Sequence, residues 1–236
     1  MGCRVGAYQK FDPALASALD WWADAGVDVL VEDVPRDWFA KPVARAAPVE
    51  ATPDALPATL EALAAWRLGP DAPEAGWSGV SLAASGPANA RLMVLVDCPD
   101  RDDGDAGALL SGRTGVLFDR MLASVGLSRE DVHIAAVCAK RPLGGRLPPE
   151  TAARLGEIAR HQVELAAPAR LLLLGNATSR AVLAMDHAEA SGQLRPVNLK
   201  NGTTQAVASH HPRALLERPA CKAEAWRDLR LWAETE

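Results

Sequence analysis

The sequence predicts an α/β protein, a three-layer α/β/α sandwich around a central four-stranded parallel sheet. Four apolar runs of strand length lie in the second part of the 236-residue chain, at residues 91–97, 132–138, 170–175 and 204–209. Helical patterns separate these runs, and strands that alternate with helices pair in parallel through crossover connections. Runs that stay apolar throughout are typical of strands covered by helices on both faces.

The part of the chain before the sheet predicts a helical extension and a linker. Asp12 and Pro13 are suited to the N-cap and first turn of a helix, and apolar residues then recur on one face until Gly26. We assign residues 1–38 to this amphipathic extension. Residues 39–57 are rich in Ala and Pro without periodicity, which indicates a linker. Residues 58–236 are expected to form the main domain, beginning with a short helix.

Composition excludes several classes of protein. The net charge of −5 gives no sign of a strongly basic nucleic-acid binder, so any DNA contact must come from a local basic face. The four cysteines form no Cys-x-x-Cys pair, which argues against a zinc site or a redox dithiol, and we predict no metal site. Neither a membrane-spanning apolar window nor the apolar core of a signal peptide is present. We therefore expect a cytoplasmic protein without a membrane partner.

The most informative segment is 207–229, where an apolar strand runs into a His-Pro turn and then a helix. Open α/β folds bind ligands at the carboxyl ends of their strands, so His211 is expected at that edge and facing the cleft. Asp97 ends the first strand and is expected at the same edge, where it either contacts substrate or caps the following turn. His210 is expected to point outward or to pack.

Five aspartates lie within residues 97–105, at the start of the loop that follows the first strand. Their spacing fits no standard calcium loop, although a divalent cation remains an alternative to a solvated acidic surface. Beside a DNA groove, this loop would repel phosphate and weaken duplex binding.

Three segments together resemble the uracil-DNA glycosylase superfamily, most closely its family-four, iron-sulfur type. They are residues 107–142 with the GRTG sequence, the strand and helix LLLLGNATSRAVL, and the stretch SHHPRALLERPACKAEAWRDL. The resemblance covers about residues 82–234 and implies a uracil-DNA-glycosylase-like domain. It also implies hydrolysis of the N-glycosidic bond of a damaged or deaminated base, with DNA, single-stranded or base-damaged, as the partner.

The resemblance assigns the site residues. Asp97 stands where the family has the Glu that serves the water, and His211 is the histidine that stabilises the departing base. Cys98 and Pro99 would belong to the substrate pocket. The stacking aromatic falls at Leu110 and the Asn that grips uracil at Ala136, neither of which can replace the lost group. We therefore expect weakened or altered uracil specificity, because discrimination depends on such hydrogen bonds, unless Asn176, His133 or the backbone supplies them.

The same resemblance predicts the DNA contacts. Gly112 and Arg113 would present backbone amides and a guanidinium to phosphate, and Arg213 would contact the strand. Leu215 and Leu216 would form the wedge that fills the gap left by a flipped base. The alternatives are a tight turn in which Arg113 pairs with a carboxylate such as Asp119, and leucines that merely pack the last helix.

Two further expectations concern the cofactor and activity. Family-four members hold an iron-sulfur cluster with four cysteines. The early pair is absent here and Lys140 stands at a third position, so we predict no cofactor and no cluster. The alternative to a glycosylase of atypical activity is a catalytically inactive member that binds DNA or a protein partner, the latter through the N-terminal helix. A nucleoside or nucleotide binder is a third hypothesis.

Overall fold

The fold is described by a computed structural model over residues 56–145, 147–200 and 202–234. These residues belong to one compact unit, Asp54–Glu236. The extension predicted over residues 1–38 and the linker predicted over 39–57, apart from its last two residues, lie outside the described part of the chain.

Five strands form one sheet: β1 (Leu92–Val96), β2 (Val132–Ala136), β3 (Arg170–Leu174), β4 (Arg195–Leu199) and β5 (Gly202–Ser209). Their order is β2-β1-β3-β5-β4. The four strands predicted from the sequence are present and pair in parallel, in a register that aligns Val96 with Ala136 and Leu174, and Leu174 with Ser209. Their carboxyl ends therefore form one edge.

The antiparallel strand β4 was not predicted. It pairs only with β5, at the edge of the sheet. Its sequence, RPVNL, contains Pro196 and Asn198, and only Val197 is buried along the strand. Proline is tolerated on an edge strand because one side of that strand needs no ladder hydrogen bond, so the segment lacks the usual signal of a strand.

Helices precede and connect the strands. Their bounds are α1 (Leu60–Leu68), α2 (Asp103–Ala106), α3 (Gly112–Ser124), α4 (Pro149–Ala166), α5 (Asn176–Leu183), α6 (His187–Ala190), α7 (Pro212–Glu217) and α8 (Lys222–Ala233). Short 3-10 turns lie at Arg129–Asp131, Leu143–Gly145 and Pro219–Cys221. Within the described ranges, no helix combines the length and apolar character needed to cross a membrane.

The two faces of the sheet are covered by different helices, which makes the domain a three-layer α/β/α sandwich as predicted. Alternate strand residues such as Leu95 and Leu173 pack with α4 and α1, through Ile158 and Leu63 among others. The intervening strand residues pack against α3 and α8, where Phe118, Leu122, Leu229 and Trp232 are buried. Burial on both faces explains why the strand sequences do not alternate between apolar and polar residues.

A buried ion pair attaches the segment after α1 to the end of β2. The Arg67 guanidinium pairs with Glu74 at 2.5 Å and donates hydrogen bonds to the carbonyls of Ala136 and Val137. The same Glu74 oxygen accepts a hydrogen bond from the Ala139 N–H. Both charged side chains are nearly inaccessible to water, at 7% and 1% exposure. Removing either partner would leave the other as an uncompensated buried charge, a change that typically costs about 3–5 kcal/mol.

Candidate active site

The carboxyl edge of the parallel strands brings Asp97 and His211 together, although 114 positions separate them along the chain. Asp97 follows β1, and His211 follows β5 after His210. Strand β3 lies between β1 and β5 and is followed by Gly175, which has a φ of 101°. A Cβ at Gly175 would lie 3.8 Å from the Cβ of His211, so this glycine brings the backbone close to the histidine.

His211 caps the N-terminus of α7, and this contact fixes its protonation pattern. Its Nδ1 accepts a hydrogen bond from the Arg213 backbone N–H at 3.1 Å. The proton of the neutral ring therefore lies on Nε2. Burial lowers the pKa of His211 and outweighs the opposing charge of Asp97, so the ring is neutral near pH 7. Nε2 lies 3.8 Å from Asp97 Oδ1, and both atoms are buried without a hydrogen-bond partner among the described residues.

Arg213 closes the other side of this pair. Its guanidinium contacts Asp97 Oδ2 at 3.1 Å and Asp100 Oδ1 at 3.4 Å. Burial would lower the pKa of Arg213, but the charges of Asp97 and Asp100 raise it above its ordinary value. Arg213 was assigned to DNA contact in the sequence analysis; here its guanidinium is engaged by two carboxylates. Its side chain is 30% exposed, so it remains reachable from solvent.

Asp100 is the second carboxylate of the site. It also contacts Arg141 at 3.4 Å, and it accepts a hydrogen bond from the Thr114 hydroxyl at 3.1 Å. Burial acts to raise the pKa of Asp100, but the Arg101 backbone N–H, the charge of Arg213 and the Thr114 hydroxyl together hold it below its ordinary value. Two carboxylates and two guanidinium groups thus balance in charge. Arg141 was not singled out from the sequence, where it is one of many basic residues.

The acidic loop that begins at Asp97 is ordered by internal hydrogen bonds and is not a uniformly solvated surface. Asp103 is 2% exposed, and its carboxylate accepts hydrogen bonds from the backbone N–H groups of Asp100, Leu110 and Ser111. Its neighbours Asp102 and Asp105 are exposed. The expectation of a solvated acidic run is therefore wrong for Asp103, because three amide donors replace the water it would otherwise bind.

A cavity of about 680 Å³ borders Asp97. Its walls include Cys98, Val137, Cys138, Gly156 and residues of α5. The volume falls in the range typical of small-molecule sites. Burial is the main cause that raises the pKa of both Cys98 and Cys138 to about 12, so both are neutral thiols and poor nucleophiles. Cys98 thus lies at the pocket where the sequence placed it, while Pro99 is buried beside it and its carbonyl accepts a hydrogen bond from Arg141.

Leu110 and Ala136 lie within the apolar core and not in the described wall of that cavity. Leu110 is 1% exposed and adopts a φ of 56°, a left-handed conformation that is strained for leucine. Asp103 holds its N–H at 3.1 Å, and Arg129 binds its carbonyl. Ala136 is 6% exposed, and Arg67 occupies its carbonyl. Both positions assigned to base recognition are therefore packed against protein.

Neither proposed substitute side chain lies in the described wall of the cavity. The Asn176 Oδ1 accepts the His187 N–H at 2.8 Å, on the exposed surface. His133 pairs in register with Met93, three residues before Ala136 on the same strand. At about 3.3 Å per residue, it lies roughly 10 Å from the strand end.

A second depression, of about 720 Å³, lies on the outer surface of α3 beside α7 and the start of α8. Its lining residues are basic or apolar, with no carboxylate among those described: Gly112, Arg113, Val116, Leu117, Arg120, Leu216 and Lys222. Asp119, the alternative partner of Arg113, pairs with Arg129 instead. Leu216 is 36% exposed, whereas Leu215 is 2% exposed and packed inside. Arg120 was not among the predicted DNA contacts, although it follows Arg113 by seven residues, or two helical turns, on one face of the helix.

Comparison with known proteins identifies the relatives of this chain. The model of the uracil DNA glycosylase superfamily matches residues 83–230. The chain is 30% identical to a type-4 uracil-DNA glycosylase of Archaeoglobus fulgidus over 60% of its own length and 74% of the relative. It is 26% identical to a type-4 uracil-DNA glycosylase of Pyrobaculum aerophilum over 60% of its length and 76% of that relative. A type-4 enzyme of Thermotoga maritima is 33% identical over 36% of this chain and 45% of its own.

These relatives overturn the prediction that the chain holds no iron-sulfur cluster, because they belong to the type that the sequence analysis itself linked to such a cluster. Within the described residues, Cys98 and Cys138 line one cavity, while Cys221 lies at the start of α8. The described cysteines alone do not supply the four thiolates that hold a cluster.

The matched region begins just before β1 and ends within α8, and it contains Asp97, His211, Arg213 and the basic depression. The fold agrees with the match, since the parallel strands deliver these residues to one edge of the sheet. The match extends over more than half of the chain. The chain belongs to the uracil DNA glycosylase superfamily.

Proposed function

We propose that this protein is a DNA base-excision glycosylase that hydrolyses the N-glycosidic bond of a damaged or deaminated base, with weak discrimination in favour of uracil. One observation carries the proposal. Asp97 Oδ1 and His211 Nε2–H face each other at 3.8 Å as buried polar atoms that have no hydrogen-bond partner in the described ranges, and Asp97 borders a cavity large enough for a base. Buried polar atoms without partners are rare, and they favour a site that substrate or water completes.

The chemistry follows from the two groups. A water donates a hydrogen bond to the Asp97 carboxylate, and its oxygen adds to the sugar C1′ while its proton passes to the carboxylate. The C1′–N bond breaks, and its electron pair goes to the base. The leaving base, which carries the negative charge, then accepts a hydrogen bond from His211 Nε2–H. The neutral imidazole of His211 is a suitable donor, because this hydrogen bond stabilises the negative charge that develops on the base only as the bond breaks.

Arg213 sets the condition for this reaction. In its present position it pairs with Asp97 Oδ2, and the described wall of the cavity includes Asp97 but neither Arg213 nor His211. A DNA phosphate offers the guanidinium a competing bidentate partner. We therefore infer that strand binding draws Arg213 from Asp97, which exposes Oδ1 and Nε2 together.

Weak uracil selectivity rests on Leu110 and Ala136. A site built to hydrogen-bond a base edge rejects analogues that lack the complementary groups. At both positions this chain presents a packed apolar side chain instead. Recognition would then depend on cavity shape and backbone groups, which distinguish related bases less sharply.

DNA contact is supported by the basic depression. Arg113, Arg120 and Lys222 supply positive charge, and Leu216 supplies an exposed apolar side chain beside them. This combination suits a phosphate backbone and a wedge that replaces a flipped base. Such wedge insertion is easiest where the base is unpaired, so we propose that single-stranded or mispaired substrates are preferred.

The test is a product assay on single- and double-stranded oligonucleotides that carry uracil, hypoxanthine or xanthine. We expect alkali-labile abasic sites on more than one base, and their loss in His211→Ala. The absence of abasic product on every substrate would overturn the enzymatic proposal.

That negative result would favour a second candidate, a catalytically inactive member that binds DNA. The pairing of Asp97 with Arg213 is the observation that favours it, since the guanidinium occupies Asp97 Oδ2 and competes with a water for the carboxylate. A DNA titration at several salt concentrations identifies this candidate, because phosphate contact makes binding fall as salt rises.

A further inference from the structure

A second cluster of ligand-type side chains lies beside the His-Pro turn, and the proposed reaction does not use it. His210 follows β5, Cys221 ends the Pro219–Cys221 turn, and Glu224 lies in the first turn of α8. One ligand atom from each residue lies within 4.8 Å of the other two. His210 Nε2 and Glu224 Oε2 are 3.0 Å apart.

We propose that His210, Cys221 and Glu224 bind a Zn²⁺ ion, in contrast to the prediction of no metal site from the cysteine spacing alone. Imidazole, thiolate and carboxylate are all zinc ligands, and a mixed set with a thiolate disfavours Mg²⁺ and Ca²⁺. Tetrahedral bonds of about 2.0–2.3 Å place neighbouring ligand atoms roughly 3.3–3.6 Å apart. Small side-chain rotations would bring the three atoms to those separations, and a water would complete the fourth position.

The ligands come from two segments, and the fold fixes their approach. Cys221 and Glu224 are three residues apart, a spacing that puts two side chains on one face of a helix. His210 reaches them from the end of a buried strand, and its side chain is only 21% exposed. The ion would therefore cross-link the sheet edge to α8. Because His210 is bonded to His211, the same cross-link would fix the turn that carries the proposed catalytic histidine.

The surroundings contain further unpartnered polar atoms. The ring centroid of His187 lies 4.4 Å from that of His210, and His187 Nε2 is buried without a hydrogen-bond partner in the described residues. Asp228, one turn after Glu224, is 1% exposed. Its Oδ1 accepts a hydrogen bond from the Gly192 N–H, while its Oδ2 is buried and has no partner in the part of the chain that the structure describes. Both are available to orient a ligand or a metal-bound water, as the outer shell of metal sites does.

Titration of the full-length, chelator-treated protein with Co²⁺ tests the site, since Co²⁺ reports thiolate ligation through a near-ultraviolet charge-transfer band. We expect one equivalent to give that band, Cys221→Ser to abolish it, and Zn²⁺ to displace it. His210→Ala and Glu224→Gln should each weaken binding by at least about tenfold. Difference spectra remove any absorbance present before cobalt is added.

Two matched controls make the result decisive. Cys98→Ser removes a thiol from the active-site cavity, and His161→Ala removes a half-buried histidine that contacts Glu164 on α4. Both should leave the cobalt band unchanged. A band that survives Cys221→Ser, or no one-equivalent binding at all, would overturn the proposal. Glu224 is 57% exposed, so Glu224→Gln is expected to fold and tests the site even if Cys221→Ser does not.

Discussion

The edge of the sheet contains two regions that differ in character. At the ends of β1 and β5, Asp97, His211 and Arg213 form a polar cluster that contains buried atoms without a hydrogen-bond partner among the residues described. At the end of β2 and in the turn before α3, Ala136 and Leu110 are apolar and packed into the core. In the proposed function, the first region supplies bond cleavage and the second contributes packing. Catalytic groups and recognition groups would then change independently on one scaffold.

The largest expected effect tests the charged region. Asp97→Asn keeps the shape of the side chain but removes the proton acceptor, so we expect excision to fall by about 10²–10⁴-fold. The exposed Asp105, in the same acidic loop, provides the control, since Asp105→Asn should leave the rate near that of the wild type. The rate is measured by single-turnover cleavage of the best oligonucleotide found. An unchanged rate in Asp97→Asn would show that the carboxylate has a structural role and no catalytic one.

The next prediction concerns the packed region. Leu110→Ala removes a core side chain, and we expect the free energy of unfolding to fall by about 2–5 kcal/mol, with the preference among bases unchanged. Leu216→Ala is the matched variant, because this leucine is exposed and should change stability by less than about 0.5 kcal/mol while it weakens DNA binding. Urea unfolding and DNA titration measure the two quantities. A shift in base preference in Leu110→Ala would mean that Leu110 contacts the base.

The charged region also predicts a pH effect of intermediate size. Because burial lowers the pKa of His211, the unfolded chain takes up a proton first as the pH falls below about 6.5. Stability contributed by this group is complete above that pH and is lost as the pH falls towards the folded-state pKa, by up to about 1.4 kcal/mol per pH unit. Protonation of Nδ1 would also break the hydrogen bond that Nδ1 now accepts from the Arg213 N–H, because both groups would then be donors.

Urea unfolding of the wild type and of His211→Gln between about pH 7.5 and 5 measures this effect. Burial also lowers the pKa of His133 and His187, so only the difference between the two proteins reports on His211. We expect a smaller loss of stability at low pH in the variant. Equal losses would show that His211 does not titrate differently in the folded state.

The smallest expected effect concerns the basic depression. Arg113→Gln and Lys222→Gln should each weaken DNA binding uniformly across sequences and lower the slope of log K against log salt by about 0.7–0.9. Arg154→Gln is the control, because Arg154 pairs with Glu157 on α4, outside the depression. An unchanged slope in both Arg113→Gln and Lys222→Gln would show that the phosphate contacts lie outside this depression.

Some elements were predictable because their signal is local. The four parallel strands are runs of apolar residues, and the His-Pro segment predicts a turn at the end of the last of them. Strand β4 was missed because an edge strand with Pro196 needs little burial. The environment of Asp103 was missed because its three amide donors come from both ends of a folded loop. A run of aspartates in the sequence predicts a solvated surface, whichever of its members is buried in the folded loop.

By itself, the sequence determined the superfamily, the order of the parallel strands along the chain, and the two residues, Asp97 and His211, that meet at their ends. These follow from apolar periodicity and from motifs that are contiguous in the chain. Only the tertiary structure decided that Arg213 pairs with Asp97, that Leu110 is core, and that His210 lies beside Cys221 and Glu224. The Arg213–Asp97 pair joins residues 116 positions apart, and the His210 cluster joins a strand end to the start of a helix. Side-chain packing and charge pairing, which no local pattern encodes, select these contacts.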